Sequence, residues 1–319
     1  MQPNGPAPTP SACIEFRPAN FMGVLHTAGT VSITAASFLL SRSGGLAWIG
    51  GQVLLAVALV QWFIVLHECG HETMFRSSRL NSFAGHIAAF FSVIPFSCWK
   101  RVHASHHRWT GWQDLDPTTE SLVRSPLGTL ERKFVNTSWR FWIPAFSVIY
   151  RINNYWNLRR LRGLYETNKA WRRMVSDTVV LLTVYAAITV AFGPALVVKM
   201  TGLGVLLALV IEDPLILSQH THIPQQVSRG GKVRPFGAFE QEAFTRSLKF
   251  PDWISKFVLL NFDAHELHHM YPFVPGYHLR RIPYTGRNEV HWWAWIRAVK
   301  RIRGEQFLFQ NQNDSGIRV

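Results

Sequence analysis

Charge, cysteine and acidic side chains are all scarce in this sequence. Only 16% of its 319 residues are charged, against about 25% in an average soluble domain, while 48% are hydrophobic. The 3 cysteines (Cys13, Cys69 and Cys98) form no CxxC pair, which excludes a disulfide scaffold and a zinc ribbon held by thiolates. Asp and Glu number 19 against 33 Lys and Arg. This composition excludes a disordered chain, a collagen-like repeat and an ordinary cytosolic enzyme.

Four long apolar runs predict membrane-spanning helices. They occupy residues 21–40, 46–66, 174–198 and 201–217, and each approaches the ~20 residues that a helix needs to cross a bilayer. Short links would join them as two hairpins. The last run contains Glu212, Asp213 and Pro214, which predict a broken or shortened span. The sequence therefore predicts an all-α integral membrane protein with one domain, 21–319, behind a polar, Pro-rich tail at 1–20.

The remaining charge pattern predicts how this domain sits in the membrane. Aromatic-rich runs at 83–97 and 139–150 are too short to span and predict helices in the headgroup region. All Lys and Arg except Arg42 and Lys199 lie in the tail, the middle region and the C-terminal region. Because positive residues collect on the cytoplasmic side, we expect both termini and a helical cap there. This topology explains the basic charge without nucleic-acid binding, for which the sequence has no recognisable module.

Histidine is abundant, with 14 residues, and most of them cluster at spacings of three and four. On a helix this spacing places side chains on one surface, about one turn apart, where imidazoles can converge on a metal ion. Neutral imidazole binds iron, copper, nickel and zinc, and so many ligands suit two ions with four or five each. The candidate ligands are His67, His71, His103, His106, His107, His265, His268, His269 and either His220 or His222. We expect the isolated His26, His86, His278 and His291 to be packing or interfacial residues.

Two other motifs use parts of the same segments. HECGH at 67–71 and HELHH at 265–269 match HExxH, the helix signature of zinc proteases, with Glu68 or Glu266 as general base. They also contain ExxH, which occurs in carboxylate-bridged di-iron bundles. Either alternative leaves several clustered histidines unused, so the count favours an imidazole-rich centre for two metal ions. Carboxylates that could orient the ligands are Glu68, Glu266, Asp116 and Asp263. A histidine-rich transporter would need histidines within the spans, where only His26 lies.

At these residues the sequence resembles the membrane fatty acid desaturase family, particularly its acyl-lipid branch. HHRWTGWQDLDP is similar to the HHxxT…DxDP extension of that family, HELHHMYPFVPGYHL to HxxHHxxPxVPxYHL, and QHTH to a stretch of the acyl-lipid branch. The resemblance implies two non-haem irons held by the histidines above and O2 as co-substrate. It further implies insertion of a cis double bond into a fatty acyl chain carried by a lipid or by coenzyme A. A separate electron donor, a ferredoxin or cytochrome b5, is implied because the sequence has no HPGG haem-binding motif.

The chemistry itself explains why a metal is expected. An unactivated methylene has no acidic proton and no leaving group, so acid–base or nucleophilic side chains cannot open it. Hydroxylases and ketolases that act on carotenoids or alkanes share the histidine pattern and are the nearest alternative. From another class, a membrane zinc metalloprotease that uses HExxH is the alternative.

Overall fold

The computed structural model describes residues 7–9, 13, 15–122 and 127–319, and this part of the chain is predominantly helical. Two short parallel strands, β1 (Leu248–Lys249) and β2 (Val290–His291), pair with each other. Single π-helical turns lie at Ile152–Trp156 and Ile254–Val258, and 3-10 turns at Glu120–Leu122, Arg162–Leu164 and Glu240–Phe244. In chain order the α-helices are α1 (Asn20–Ser41), α2 (Gly45–Gly70), α3 (Ser78–Ser92), α4 (Phe96–Trp109), α5 (Thr129–Phe141), α6 (Ala145–Arg151), α7 (Leu158–Leu161), α8 (Asn168–Phe192), α9 (Pro194–His220), α10 (His265–Met270), α11 (Gly276–Leu279), α12 (Trp292–Val299), α13 (Gly304–Phe309) and α14 (Gln312–Ser315).

Four of these helices, α1, α2, α8 and α9, are long and apolar enough to cross a membrane, in agreement with the four predicted runs. α2 is the central one, with α1, α3 and α9 packed around it. Every residue of its second half, 58–69, is buried, as expected of a helix segment that is apolar all round. Gln52 ties it to its neighbours, because its amide donates to the carbonyl of Met200 at 2.9 Å and accepts from the amide of Gly204 at 2.9 Å. The first histidine pair therefore sits at the end of a well-fixed helix.

The boundary between the third and fourth spans was predicted wrongly. The expected link lay near residue 199, whereas α8 ends at Phe192, Gly193 follows with a φ of +76°, and Pro194 begins α9. Glycine adopts this φ at little cost, and proline is favoured in the first turn of a helix. The apolar runs continue on both sides of this turn, so hydropathy alone could not locate it.

The predicted break in the fourth span is also wrong, because α9 runs unbroken through Pro214. Its two acidic side chains are buried and have partners on α6. Glu212 forms an ion pair with Arg151, and Asp213 accepts hydrogen bonds from the backbone amide and hydroxyl of Ser147. Buried charges are tolerated when they are paired and hydrogen-bonded. These contacts keep α9 helical as far as His220.

The two aromatic-rich runs each contain a sharp turn. The first, 83–97, includes the end of α3 and the start of α4, which meet at a bend of 96° beside Val93 in the left-handed conformation. The second, 139–150, joins α5 to α6 through Trp142, also left-handed. Exposed apolar side chains on these helices, such as Phe83 and Phe141 (both 68% exposed), face outward. The first bend turns α4 toward the end of α2.

The N-terminal tail packs on the domain where it is described. Residues 1–6, 10–12 and 14 of the predicted polar tail lie outside the described residues. Cys13 and Phe16 are buried against α10 and the segment that follows it. The Tyr271 hydroxyl donates to the carbonyl of Pro8 at 2.6 Å. This part of the tail therefore covers the helix that carries the third histidine cluster.

Candidate metal centre

Histidines from four helices meet at one end of the helical core. Within each helix the spacing of three or four residues places the histidines on one side, as predicted. Long-range packing of α2, α4, α9 and α10 then brings the clusters together. The contributions are His67 and His71 from α2 and its C-cap, His103, His106 and His107 from α4, His220 from the end of α9, and His265, His268 and His269 from α10.

The histidines form two groups, which we call group A and group B. Within each group the ligand nitrogens all lie within 4.8 Å of one another. Metal–imidazole bonds measure about 2.0–2.1 Å, so nitrogens bound to one ion lie roughly 3–4 Å apart. Both groups therefore have the spacing of a single-ion site. Group A consists of His67, His71, His103 and His268, and group B of His106, His220, His265 and His269.

His107 adds a fifth histidine to group A. Its Nε2 lies 3.1 Å from Nε2 of His103 and 3.0 Å from Nε2 of His268. Its ring also stacks on His269 of group B, with 4.3 Å between ring centroids. The two groups are therefore direct neighbours.

The nitrogens of these rings fit metal ions better than they fit each other. Nε2 of His67 and Nε2 of His71 are buried without a hydrogen-bond partner. Nε2 of His107 faces two further Nε2 atoms, although a neutral imidazole nitrogen either donates one hydrogen bond or accepts one. Buried polar atoms left in this state cost free energy, and a cation coordinated by their lone pairs would remove the cost.

The protonation state of the histidines also favours metal binding. Burial, followed by repulsion from neighbouring histidines, lowers the pKa of His71, His265, His268 and His269 well below the usual value. At neutral pH these imidazoles are uncharged and keep a lone pair, the state in which histidine binds metals. The donor set is all nitrogen, which suits iron, copper, nickel or zinc.

Polar side chains that belong to neither group A nor group B contact several of the rings. Asp116 Oδ2 lies 2.7 Å from Nδ1 of His106, and Glu68 Oε1 lies 3.1 Å from Nδ1 of His67. The sequence singled out both carboxylates. The other two candidates lie elsewhere, because Asp263 binds Arg280 and Ser255, and Glu266 accepts hydrogen bonds from the backbone amides of Ser247 and Asn288.

Sequence analysis missed two partners of group B. Gln241 Oε1 lies 2.8 Å from Nδ1 of His269, and the backbone carbonyl of Phe244 lies 3.1 Å from Nδ1 of His220. Both belong to the 3-10 turn at Glu240–Phe244, which is far from every histidine cluster in sequence. No motif marks this turn, so only the folded structure identifies it.

Of His220 and His222, the structure places His220 in group B. His222 lies two residues beyond, in the left-handed conformation with a φ of +58°. Its ring contacts the backbone carbonyl of Gln310 and the hydroxyl of Ser315 in the C-terminal segment. The side chain therefore points away from group B and stabilises the chain end instead. The isolated His26, His86, His278 and His291 also lie outside both groups.

The geometry of the two HExxH glutamates does not suit a zinc protease. A general base in such an enzyme must face the metal-bound water. The other oxygen of Glu68, Oε2, accepts a hydrogen bond from Thr73 and one from the amide of Gly276, each at 2.8 Å. Glu266 is fully buried against loop backbone. Both carboxylates connect segments of the protein, and the same contacts argue against the ExxH bundle.

A cavity of about 580 Å³ extends from the histidines between α4, α5, α6 and α9, within the roughly 300–1,000 Å³ of small-molecule sites. His67, His103, His106, His220 and His265 form one part of its wall, and most of the remainder is apolar, including Phe63, Trp99, Phe146, Ile149, Ile216 and Phe262. Among the described residues its lining contains no Lys or Arg and one carboxylate, Glu131. An apolar cavity that ends on the two histidine groups suits a long hydrocarbon chain.

Known proteins resemble this chain over most of its length. The sequence model described as "Fatty acid desaturase" matches residues 43–292. A protein of Sorghum bicolor named probable fatty acid desaturase DES1 is 30% identical over 238 residues, 68% of this chain and 58% of the relative. The omega-3 fatty acid desaturase, endoplasmic reticulum, of Vigna radiata is 24% identical over 234 residues, with the same coverage of 68% and 58%.

The name of a third relative includes an electron donor, ferredoxin. The sn-2 acyl-lipid omega-3 desaturase (ferredoxin), chloroplastic, of Helianthus annuus is 21% identical over 229 residues, 68% of this chain and 50% of the relative. The chain thus spans only half to three-fifths of the length of these relatives. Because the family match covers most of the chain and includes all the clustered histidines, this integral membrane protein belongs to the fatty acid desaturase family.

Proposed function

We propose that this chain is an O2-dependent fatty acyl desaturase that places a cis double bond in a membrane acyl chain at a histidine-held pair of irons. The observation that carries the proposal is that the apolar cavity opens onto groups A and B. Five of their histidines form part of the cavity wall. The relatives are named as desaturases of acyl lipids and fatty acids. Their names support the reaction class without fixing the bond position.

The proposed metal ligands are the four histidines of each group together with His107. When bound, the two irons supply the oxidising power that removal of hydrogen from an unactivated methylene requires. The protein holds the imidazoles through Asp116, Gln241 and Glu68 and keeps water away from the reacting carbons. Apolar residues of the cavity, such as Phe262 and Ile149, hold the acyl chain against the histidines by burying its surface.

We also propose the membrane arrangement on which this function depends. Residues 21–319 form one domain, in which α1 with α2 and α8 with α9 make two hairpins. The histidine groups and the surrounding short helices form a cap on the cytoplasmic side, with both termini there. The distribution of Lys and Arg supports this orientation, and the tail at 1–20 precedes the domain.

The electrons come from a separate carrier of the ferredoxin or cytochrome b5 type in this proposal. The basic cap supports an acidic partner, because complementary charge accelerates association and fixes orientation. A relative whose name includes ferredoxin supports the same class of donor. The co-substrate is O2, and the product besides the double bond is water.

The decisive test is lipid analysis of cells that express the chain. Gas chromatography with localisation of the double bond is expected to reveal a new unsaturated acyl chain, and the purified protein is expected to contain two irons. Oxygenated carotenoids or alkanes as products would assign the related hydroxylase or ketolase reaction to the same site. One zinc per chain with peptide cleavage would contradict the proposal outright.

The cavity itself can be tested by filling it. Ile216 on α9 lines the cavity, whereas Ile211 on the same helix is 39% exposed on its outer side. We expect Ile216→Trp to lower desaturation of long acyl chains at least several-fold and to shift products toward shorter chains, because the indole occupies space that the chain requires. Product profiles by gas chromatography measure this shift.

Ile211→Trp is the matched control and is expected to keep the normal profile. Both variants should retain their iron, since neither residue is a member of group A or group B. An unchanged chain-length profile in Ile216→Trp would show that the acyl chain does not occupy this cavity.

A further inference from the structure

Groups A and B differ in how firmly their rings are held. In group B, three rings have a polar partner at Nδ1: Asp116 for His106, Gln241 for His269 and the carbonyl of Phe244 for His220. Within the part of the chain that the structure describes, the only such contact of group A joins His67 and Glu68 at 3.1 Å. A partner at Nδ1 fixes the tautomer and leaves Nε2 for the metal.

The two side-chain partners in group B are themselves fixed. Asp116 is 2% exposed and accepts hydrogen bonds from the amide of Thr118 at 2.8 Å and from its hydroxyl at 2.9 Å. Gln241 is 3% exposed, and its amide nitrogen donates to the carbonyl of His107 at 2.7 Å. This contact orients the amide so that its oxygen faces Nδ1 of His269. Gln241 therefore links the backbone of α4 to a ring on α10.

Group A is also less buried than group B. In group A, His71, His103 and His107 are half-buried, whereas in group B this is true only of His220. More residues of group A than of group B thus border the surface, although Nε2 of His71 is itself buried. Water competes for a metal ion where it can enter, so exposure and missing partners act in the same direction.

We propose that the two groups are unequal metal sites, in which group B binds its iron more tightly and fills first, with Asp116 and Gln241 as its positioning residues. Group A binds second and releases first. The inference rests on the proposed function, since it takes the two groups as iron sites. Outer partners of metal-binding histidines typically contribute about 10–100-fold to metal affinity, which sets the scale of the expected difference.

Graded competition for iron tests this order without measuring turnover. The purified iron-loaded enzyme in detergent is equilibrated with increasing concentrations of an Fe2+ chelator, and the iron remaining per chain is counted. We expect iron to leave in two steps of one ion each, separated by at least about 10-fold in free Fe2+. Asp116→Asn or Gln241→Leu should shift the tighter step by about 10–100-fold toward easier release.

Two control variants separate positioning from general damage. Gln241→Glu keeps an oxygen acceptor for Nδ1 of His269 but loses the donor to the carbonyl of His107, so it is expected to restore the tighter step in part. Asp114→Asn changes a carboxylate two residues from Asp116 that binds Ser228 and no histidine, so both steps should stay in place. Because Asp116 also holds Thr118, the Gln241 variants give an independent result if Asp116→Asn fails to fold.

Loss of both irons in a single step would overturn the inference while leaving the proposed function intact. A tighter step that does not move in Gln241→Leu would also overturn it. Fewer than two metal ions per chain after the purified enzyme is reloaded with excess Fe2+ would contradict the proposed function and this inference with it.

Discussion

Replacing His220 with glutamine is expected to reduce desaturation by more than about 100-fold and to lower the iron content of the chain. His220 Nε2 lies 2.8 Å from Nε2 of His265 inside group B, and its ring forms part of the cavity wall. Glutamine fills similar space but lacks the imidazole nitrogen. Outer partners of a metal typically contribute roughly 10–100-fold, so loss of a direct ligand should cost more. Iron analysis and lipid profiles measure the two effects.

His222→Gln is the matched control, two residues along the same segment. Its ring contacts the C-terminal segment, and glutamine can still donate to the carbonyl of Gln310. We expect normal iron content, with activity within about two-fold of the unchanged chain, and a small loss of stability of about 1 kcal/mol. If the His222 variant lost iron while the His220 variant retained it, the assignment of group B would be wrong.

Replacing Gly70 with alanine is expected to damage group A although glycine binds no metal. A Cβ at this position would lie 2.0 Å from Cζ3 of Trp99 and 2.5 Å from its Cε3. Trp99 is 1% exposed and stacks on the ring of His103, with 4.3 Å between centroids. The indole cannot move without displacing His103, and overpacking of this kind costs about 1–3 kcal/mol. We therefore expect a lower melting temperature, loss of group A iron and activity reduced by at least about 10-fold.

Gly50→Ala tests the same substitution on the same helix where space is free. No heavy atom lies within 4 Å of a Cβ added at Gly50, and alanine favours a helix over glycine by about 1 kcal/mol. Melting temperature, iron content and activity should stay unchanged or rise slightly. Wild-type stability and two irons in Gly70→Ala would show that Trp99 relaxes freely and does not position His103.

Several sequence predictions held because they depend on local periodicity. Residues three or four apart share one face of a helix, so the spacing within HASHH at 103–107 was enough to predict convergent rings. Length and apolar composition were enough for the four spans. Glu68 and Asp116 stand in two of the quoted motifs, HECGH at 67–71 and HHRWTGWQDLDP at 106–117, and they lie against the rings of His67 and His106.

Other predictions failed where a distant partner decides the outcome. The expected break at Glu212 and Asp213 does not exist, because Arg151 and Ser147 approach from α6 and pair with the two carboxylates. Glu266 stands beside His265 in sequence, yet its side chain points toward the loop at Asn288. Adjacent residues on a helix point in different directions, so proximity in sequence did not imply contact with the ring.

The sequence by itself determined the family, the histidine clusters and the set of helices that carry them, since composition, apolar length and helical spacing are properties of single segments. Only the tertiary structure decided how the histidines divide into groups A and B, that His220 rather than His222 joins them, and that Gln241 holds His269. These depend on the relative positions of α2, α4, α9 and α10, which long-range packing sets. No local pattern encodes the distance between a ring on one helix and an amide on a remote turn.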